Sequence, residues 1–204
     1  MDQRTNEWDQ ARLGKVTASM VFAVMAKTKS GPSASRKNYR ADLLVERLTG
    51  QKKEGFTSEA MLWGTNNEPM ARGAYEAKNG IMVEEVGFVK HPTIEGFGAS
   101  PDGLVGDDGL VEIKCPNTAT HLETMADGEI DGKYQWQMLA QMACTGRKWC
   151  DFVSYDQRLP EGLNFVVIRF ERDQKAIDEM ENEIILFLAE LAEMEATLKG
   201  RISF

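Results

Sequence analysis

Cysteine is scarce in this chain, and long apolar runs are missing. The 204 residues include three cysteines, Cys115, Cys144 and Cys150, which are too few for a disulfide framework and form no paired CxxC spacing for zinc. No apolar stretch approaches the ~20 residues that cross a bilayer, and no basic-then-apolar leader is recognisable. We therefore expect one domain of ordinary size, located in the cytoplasm and without a membrane partner.

Positive charge is also in short supply, with 24 Lys and Arg against 32 Asp and Glu and a formal net charge of -8. This balance argues against a nucleic-acid partner, because phosphate binding depends on Lys and Arg. The charges are unevenly spread, however: residues 1–53 hold eleven basic and five acidic residues, whereas residues 171–204 hold four and nine. The asymmetry is compatible with a phosphate-binding face near the N terminus, and equally with an uneven, solvated surface.

The hydrophobic periodicity predicts helices, strands, a helical pair, strands and a long terminal helix, which favours an α/β (α+β) fold with a central mixed β-sheet flanked by helices. Helices are predicted near residues 17–25, 39–48 and 58–78, with a mobile basic loop at 27–36. Strands are predicted at 81–89, 97–100, 104–105 and 110–115. Helices at 117–126 and 130–145 and strands at 149–155 and 163–170 follow.

The terminal helix carries an apolar stripe with regular three- and four-residue spacing. It consists of Ile177, Met180, Ile184, Phe187, Leu191, Met194 and Leu198. Such a stripe is expected to pack on the sheet of its own domain, and an intermolecular coiled coil is the alternative.

Residues 98–116 hold the most informative pattern. Asp102 precedes a short strand, and the next strand carries Glu112 and Lys114 two residues apart. Side chains alternate along a strand, so Glu112 and Lys114 share one face while Ile113 enters the core. The Gly-Asp-Asp-Gly turn at 106–109 would fold the second strand back and bring Asp102 beside Glu112.

Two carboxylates and an ammonium group in one place suit phosphodiester hydrolysis. The acids would bind Mg²⁺, and Lys114 would orient the attacking water, deprotonate it or stabilise the developing charge. Taken separately, a Glu-x-Lys strand pair is also a common solvated pair, and Pro-Asp-Gly is a common turn. Together, the residues form the Pro-Asp…Glu-x-Lys signature that resembles the restriction-endonuclease-like nucleases.

The chain further resembles the lambda-type phage recombination exonucleases, also called YqaJ-like viral recombinases. The resemblance runs from about Trp8 to the terminal helix and rests on five blocks in order. They are Arg12-Leu-Gly-Lys-Val-Thr-Ala-Ser19, Leu62-Trp-Gly-Thr-Asn-Asn-Glu68, Ala99-Ser-Pro-Asp-Gly103, Leu110-Val-Glu-Ile-Lys-Cys-Pro116 and Tyr134-Gln-Trp-Gln-Met-Leu-Ala-Gln141.

The resemblance implies a single nuclease domain over residues 1–204 that degrades one strand of linear double-stranded DNA from 5′ to 3′ and leaves a 3′ single-stranded tail. It also implies Mg²⁺ with Mn²⁺ as a substitute, a ring-shaped homotrimer and a partner single-strand annealing protein. A sequence-specific endonuclease and a non-catalytic DNA-binding protein remain alternative functions.

The resemblance extends the predicted metal site beyond Asp102 and Glu112. It makes Glu68 a further carboxylate at the metal, although an ordinary i,i+4 pair with Arg72 explains the same residue. The backbone carbonyl of Ile113 is a further expected ligand. Gln137 matches the family glutamine that lines the active site.

Substrate-binding residues are predicted on both sides of this centre. By resemblance, Arg12 holds the 5′-phosphate of the degraded strand, with help from Ser19 and Ser100. An Arg beside hydroxyl and backbone donors suits a terminal phosphate, whereas a surface pair with Asp9 is the alternative. Tyr134, one helical turn before Gln137, is predicted to contact DNA.

Overall fold

The computed structural model describes residues 2–29, 31–53, 55 and 57–201. In chain order, the elements are α1 (Asn6–Arg12), β1 (Val16–Thr17), a 3-10 turn (Ala18–Met20), α2 (Val21–Met25), β2 (Lys27–Thr28), β3 (Gly31–Pro32), α3 (Ala34–Thr49), α4 (Glu59–Asn79), β4 (Val83–Glu84), β5 (Val89–Lys90), β6 (Phe97–Ala99), β7 (Gly103–Val105), β8 (Gly109–Lys114), α5 (Thr118–Asp127), α6 (Gly132–Thr145), β9 (Trp149–Tyr155), β10 (Phe165–Glu171) and α7 (Gln174–Gly200). Among these helices, none is long and apolar enough to cross a membrane.

The main sheet has five strands in the order β10-β9-β8-β7-β4. Strands β8 and β9 run parallel, and the other neighbouring pairs are antiparallel. A smaller sheet, β1-β6-β5, lies beside it. The predicted mixed sheet flanked by helices is therefore confirmed, with β8 in its centre.

Two apolar clusters cover the two faces of β8. Leu110 belongs to the cluster shared with α2, α3, α6 and α7, whereas Val111 and Ile113 pack with Ala71 and Tyr75 of α4. Ile113 is 4% exposed, as the sequence predicts. Because side chains alternate along β8, Glu112 faces α6, on the side of Leu110.

The terminal helix buries most of its predicted stripe. Ile177, Met180, Ile184, Phe187 and Leu191 have no solvent exposure, so core burial within the chain accounts for the spacing. The helix packs mainly on α2, α3 and α6, and its stripe belongs to the same apolar cluster as Phe97, Leu110 and Phe152 of the strands.

Three segments differ from the sequence prediction. Helix α1 was not predicted, and α3 begins five residues before the predicted start because Ser33 caps it by accepting from Arg36 N. The predicted strand at 81–89 is two short strands, because the chain passes from the main sheet at β4 to the small sheet at β5. The predicted loop at 27–36 forms the β2–β3 hairpin and the start of α3, and its Ser30 lies outside the described residues.

The charge asymmetry of the sequence is partly compensated in space. Arg36 and Arg40 both bind Glu190 of α7, the first at 2.7 Å. Arg47 lies 3.5 Å from Glu195, and three further pairs are Lys27–Glu183, Lys52–Asp9 and Lys53–Asp42. Four cations of the N-terminal segment therefore pair with three acids of the terminal helix, which neutralises part of the asymmetry.

Candidate active site

The β7–β8 hairpin brings together the three residues of the predicted centre. Its register pairs Gly103 with Val111, so Asp102 lies beside the end of β8. Asp102 Oδ2 accepts a hydrogen bond of 2.8 Å from Ile113 N, and Lys114 Nζ donates to Glu112 Oε1. Asp102, Glu112 and Lys114 thus share one site, as the spacing predicts.

Glu112 is held in a fixed orientation by two glutamines of α6. Gln137 Nε2 donates to its Oε1 at 2.7 Å, and Gln141 Nε2 donates to its Oε2 at 2.6 Å. The two amides lie four residues apart, on the same face of the helix. Glu112 has no solvent exposure, and these donors satisfy the buried carboxylate that would otherwise be costly.

The site concentrates negative charge. Desolvation, followed by the charge of Glu112, raises the pKa of Asp102 to about 8, with a smaller contribution from Glu68. Desolvation lowers the pKa of Lys114, but Glu112 and Asp102 outweigh it and raise that pKa above its ordinary value. Glu112 and Asp102 thus stabilise the charged ammonium group of Lys114, which suits it to orient water and to stabilise developing charge.

Glu68 lies in the same cleft as Asp102 and Lys114. It accepts from Arg72 at 2.9 Å, which is the i,i+4 pair considered from the sequence, and from Arg4 at 2.5 Å. The cleft has a volume of about 580 Å³, and its charged and aromatic lining includes Arg4, Glu68, Asp102, Lys114, Lys133 and Tyr134. Lys114 Nζ lies 5.0 Å from the centre of the Tyr134 ring, so this tyrosine also borders the centre.

The donor set has the chemistry that a hard cation requires. Within residues 2–29, 31–53, 55 and 57–201, no group of three or more His, Cys, Asp or Glu side chains is arranged as a metal cage. Desolvation raises the pKa of Asp102, and repulsion from the carboxylates of Glu112 and Glu68 raises it further. A cation would relieve that repulsion, and carboxylate oxygens are the ligands that Mg²⁺ prefers. The residues therefore fit a divalent ion.

A second pocket surrounds Arg12. Its Nη1 donates to Ser100 Oγ at 3.2 Å, and its guanidinium stacks 4.0 Å from the ring centre of Trp8. Trp8 Nε1 donates to the same Ser100 hydroxyl at 2.9 Å. Asp9, the alternative partner of Arg12, pairs directly with Lys52 at 2.6 Å, but it lines the same pocket and its charge also acts on Arg12.

The pocket beside Arg12 is small and partly desolvated. It encloses about 160 Å³ and is bordered by Arg12, Lys15, Thr17 and Tyr39 among others. Burial lowers the pKa of Arg12, which means that its charge is poorly hydrated. Ser19 is exposed, and its hydroxyl lies 3.4 Å from that of Thr17. The structure therefore joins Arg12 directly to Ser100, and places Ser19 next to a residue of the pocket lining.

Three residues around the site were not among the predicted ones. Trp8 precedes Arg12 by four residues, a spacing that would have placed both on one helix face had α1 been predicted. Gln141 follows Gln137 at the same spacing, which is the available signal for its contact with Glu112. Arg4 has no local signal, because its partner Glu68 is 64 residues away.

Comparison with known proteins supports a nuclease. The YqaJ-like viral recombinase domain matches residues 7–148. The crystal structure of an alkaline exonuclease, LHK-Exo from Laribacter hongkongensis, is similar with 54% identity and a TM-score of 0.92 over 98% of each chain, and LHK-Exo in complex with dAMP gives the same values. Curated proteins provide no match.

A more distant structure supports the fold. The phage related exonuclease from Haemophilus somnus 129PT has 13% identity, and it superposes with a TM-score of 0.72 over 90% of this chain and 96% of its own. At that identity, the likeness concerns the fold alone. Together with the close match to the alkaline exonuclease, it confirms the predicted restriction-endonuclease-like fold.

Proposed function

The chain belongs to the YqaJ-like viral recombinases and is a nuclease, and from this premise we propose that it degrades one strand of linear double-stranded DNA from 5′ to 3′ and leaves a 3′ single-stranded tail. One observation carries the proposal. Ser100 binds Arg12, while Asp102, two residues later, stands beside Glu112 and Lys114. A pocket suited to a phosphate and a centre suited to hydrolysis are thus joined by one short segment.

The Arg12 pocket supports a preference for DNA ends. A guanidinium presents several N–H donors in a plane, which matches a phosphate that carries free oxygens. Arg12 is half-buried, so a terminal phosphate would displace only part of a full hydration shell. The stacking of Trp8 and the hydroxyl of Ser100 fix its orientation. A closed circular DNA has no terminal phosphate to occupy this pocket.

The carboxylate centre supports metal dependence. Asp102, Glu112, Glu68 and the backbone carbonyl of Ile113 would hold Mg²⁺, with Mn²⁺ as a substitute. A divalent ion supplies charge neutralisation at the scissile phosphate and lowers the pKa of bound water. Lys114, which donates to Glu112, would orient the attacking water, deprotonate it or stabilise charge on the phosphate oxygens. Gln137 and Gln141 keep Glu112 in place.

A ring-shaped homotrimer and a partner single-strand annealing protein are part of the same proposal. Both rest on membership of the family. The charge asymmetry of the sequence adds no further support for a ring, because part of it is neutralised by pairing between the N-terminal cations and α7. Light scattering coupled to size exclusion tests the trimer, and co-purification with a phage-type annealing protein tests the partner.

The decisive experiment for the activity compares three DNA substrates. Linear duplexes with 5′-phosphate or 5′-hydroxyl ends and a closed circular plasmid are incubated with the protein in Mg²⁺, in Mn²⁺ and in EDTA. End-labelled strands report which strand is shortened and from which end. Lys114→Ala is the catalytic control, because it removes the ammonium group while Asp102 and Glu112 remain.

Each outcome distinguishes a candidate function. Metal-dependent shortening of one strand of linear DNA from its 5′ end, abolished in Lys114→Ala, supports the exonuclease. Cutting of the closed circle would favour an endonuclease of the same fold. Binding without cleavage of any substrate would leave a DNA-binding protein.

A further inference from the structure

Residues 2–5, here called the strap, cross the edge of the active-site cleft. Gln3 Nε2 donates to Pro101 O at 2.7 Å and to Val86 O at 2.8 Å. Pro101 directly precedes Asp102, so this strap is tied to the segment that carries a catalytic carboxylate. The strap ends where Thr5 caps α1 by accepting from Trp8 N.

Arg4 adopts an unusual backbone conformation within this strap. Its φ is +66°, in the left-handed region that a residue with a Cβ seldom occupies. The hydrogen bonds of Gln3 on one side and the cap of α1 on the other hold it there. This backbone conformation is often found where a side chain must be directed to a functional site. Here it directs the guanidinium into the cleft.

The guanidinium of Arg4 is available for exchange of partners. It lines the cleft, lies 2.5 Å from Glu68 Oε2, and is 51% exposed. The other oxygen of Glu68 accepts from Arg72, so Glu68 keeps one cationic partner if Arg4 moves to another anion. An ion pair with such an exposed guanidinium contributes little to stability, so little free energy is lost when Arg4 changes partner.

The other cations that line the cleft, like Arg4, each have a partner within the chain. Lys114 donates to the buried Glu112, and Lys133 lies 3.5 Å from Asp131 and 4.6 Å from the ring centre of Tyr134. The carboxylates of Glu68 and Asp102 would repel a DNA strand entering there. A half-exposed guanidinium at this position would attract the DNA strand and offset this repulsion.

We propose that Arg4 is a further substrate-binding residue. Its guanidinium separates from Glu68 and contacts a backbone phosphate of the DNA strand in the cleft. The inference rests on the proposed function, since it assumes a DNA substrate. It assigns to the strap a role separate from the Arg12 pocket. Arg12 would bind the terminal phosphate, and Arg4 a phosphate near the catalytic centre.

The test compares Arg4→Gln with a variant of equal charge change elsewhere. Lys148→Gln removes one positive charge from an exposed side chain that pairs with Asp108, near the opposite end of β8 from Lys114. Binding of a labelled 5′-phosphorylated duplex is measured in EDTA over a series of salt concentrations. Steady-state digestion of the same duplex then separates kcat from KM.

For Arg4→Gln we expect roughly tenfold weaker binding and a similar rise in KM, with kcat less affected. The slope of log affinity against log salt should fall by about 1, as for one lost phosphate contact. Arg4→Lys should retain the slope and lose part of the affinity. Gln3→Ala, which releases the strap but keeps the charge of Arg4, should weaken binding to an intermediate extent.

The inference is overturned if Arg4→Gln binds DNA with the affinity and salt slope of Lys148→Gln. It is also overturned if binding in EDTA is unchanged and only the metal requirement shifts, because Arg4 would then act on Glu68 alone. Failure of the wild-type protein to digest any DNA would instead contradict the proposed function. The binding measurements in EDTA separate these cases.

Discussion

Gln141 Nε2 donates to Glu112 Oε2 over 2.6 Å, and neither side chain is exposed to solvent. The other carboxylate oxygen is bound by Gln137 and Lys114. The rotamer of the central acid is therefore set by α6 as well as by β8. This makes Gln141 a positioning residue that need not touch the substrate.

Gln141→Met should reduce activity while the protein stays folded. The change keeps the side-chain length but removes the donor, so Glu112 Oε2 loses its partner and the carboxylate its orientation. We expect a loss of about 10- to 100-fold in metal affinity or in the rate of digestion. Metal titration calorimetry and single-turnover digestion measure the two effects.

Gln135→Met is the matched control for this change. Gln135 lies on the same helix, and its amide donates to Ile130 O and not to Glu112. A loss of metal affinity as large in Gln135→Met would show that the helix as a whole is disturbed.

Arg12→Gln should abolish discrimination between 5′-phosphate and 5′-hydroxyl ends. The guanidinium supplies the charge that a terminal phosphate pairs with, so its removal should cost roughly tenfold on phosphorylated DNA and little on hydroxyl ends. Initial rates on the two substrates give the ratio. Arg40→Gln, which removes a charge paired with Glu190, should leave that ratio unchanged. An equal loss on both ends would contradict the phosphate role of Arg12.

The stability of the protein should fall in acid partly through Asp156. Burial raises the pKa of this carboxyl, but hydrogen bonds from Arg158 and Thr118 outweigh burial and lower it to about 2. Because the folded-state pKa lies below the ordinary value of 3.8, the stabilisation is complete above about pH 4 and is lost as the pH falls through about 2. Its size at neutral pH is about 2 kcal/mol.

Asp156→Asn should therefore lower the free energy of unfolding at neutral pH and reduce its dependence on pH below about 4. Denaturant titrations at several pH values measure both effects. Asp107→Asn, a change at an exposed aspartate, is the control. If both variants lose stability with the wild-type pH profile, Asp156 does not have the assigned role.

Gly98→Ala should destabilise the small sheet. A Cβ at Gly98 would lie 2.7 Å from Val89 O and 2.3 Å from Phe88 Cζ, and the backbone of the paired strand β5 cannot easily move. We expect a loss of about 1–3 kcal/mol in the free energy of unfolding, measured by chemical denaturation. Gly132→Ala, whose Cβ would meet nothing within 4 Å, should cost less. Equal stability of the two variants would contradict the close packing at Gly98.

The sequence predicted best where local spacing determines the geometry. Alternation along β8 and the turn at 106–109 were sufficient to bring Asp102, Glu112 and Lys114 together. The helix caps at Ser58, Gly50 and Gly80 likewise follow from local chemistry.

The prediction was incomplete where contacts join distant parts of the chain. The packing of α7 on other helices and its pairing with Arg36 depend on tertiary structure that periodicity does not contain. Helix α1 was missed because its residues are mostly polar and none is buried, so no apolar stripe marks it. The role of Arg4 was missed for the same reason as the ion pairs of α7, since its partner Glu68 is remote in sequence.

The segment from Ser100 to Asp102 also bears on the size of the product. Two residues of extended chain span at most about 7 Å, so the separation between the Arg12 pocket and the hydrolytic centre is limited by covalent geometry. Pro101 restricts the backbone between them, and its carbonyl is bound by Gln3. In the proposed reaction, the distance from the held end to the cut bond would stay constant from one turnover to the next, so digestion should release fragments of uniform length.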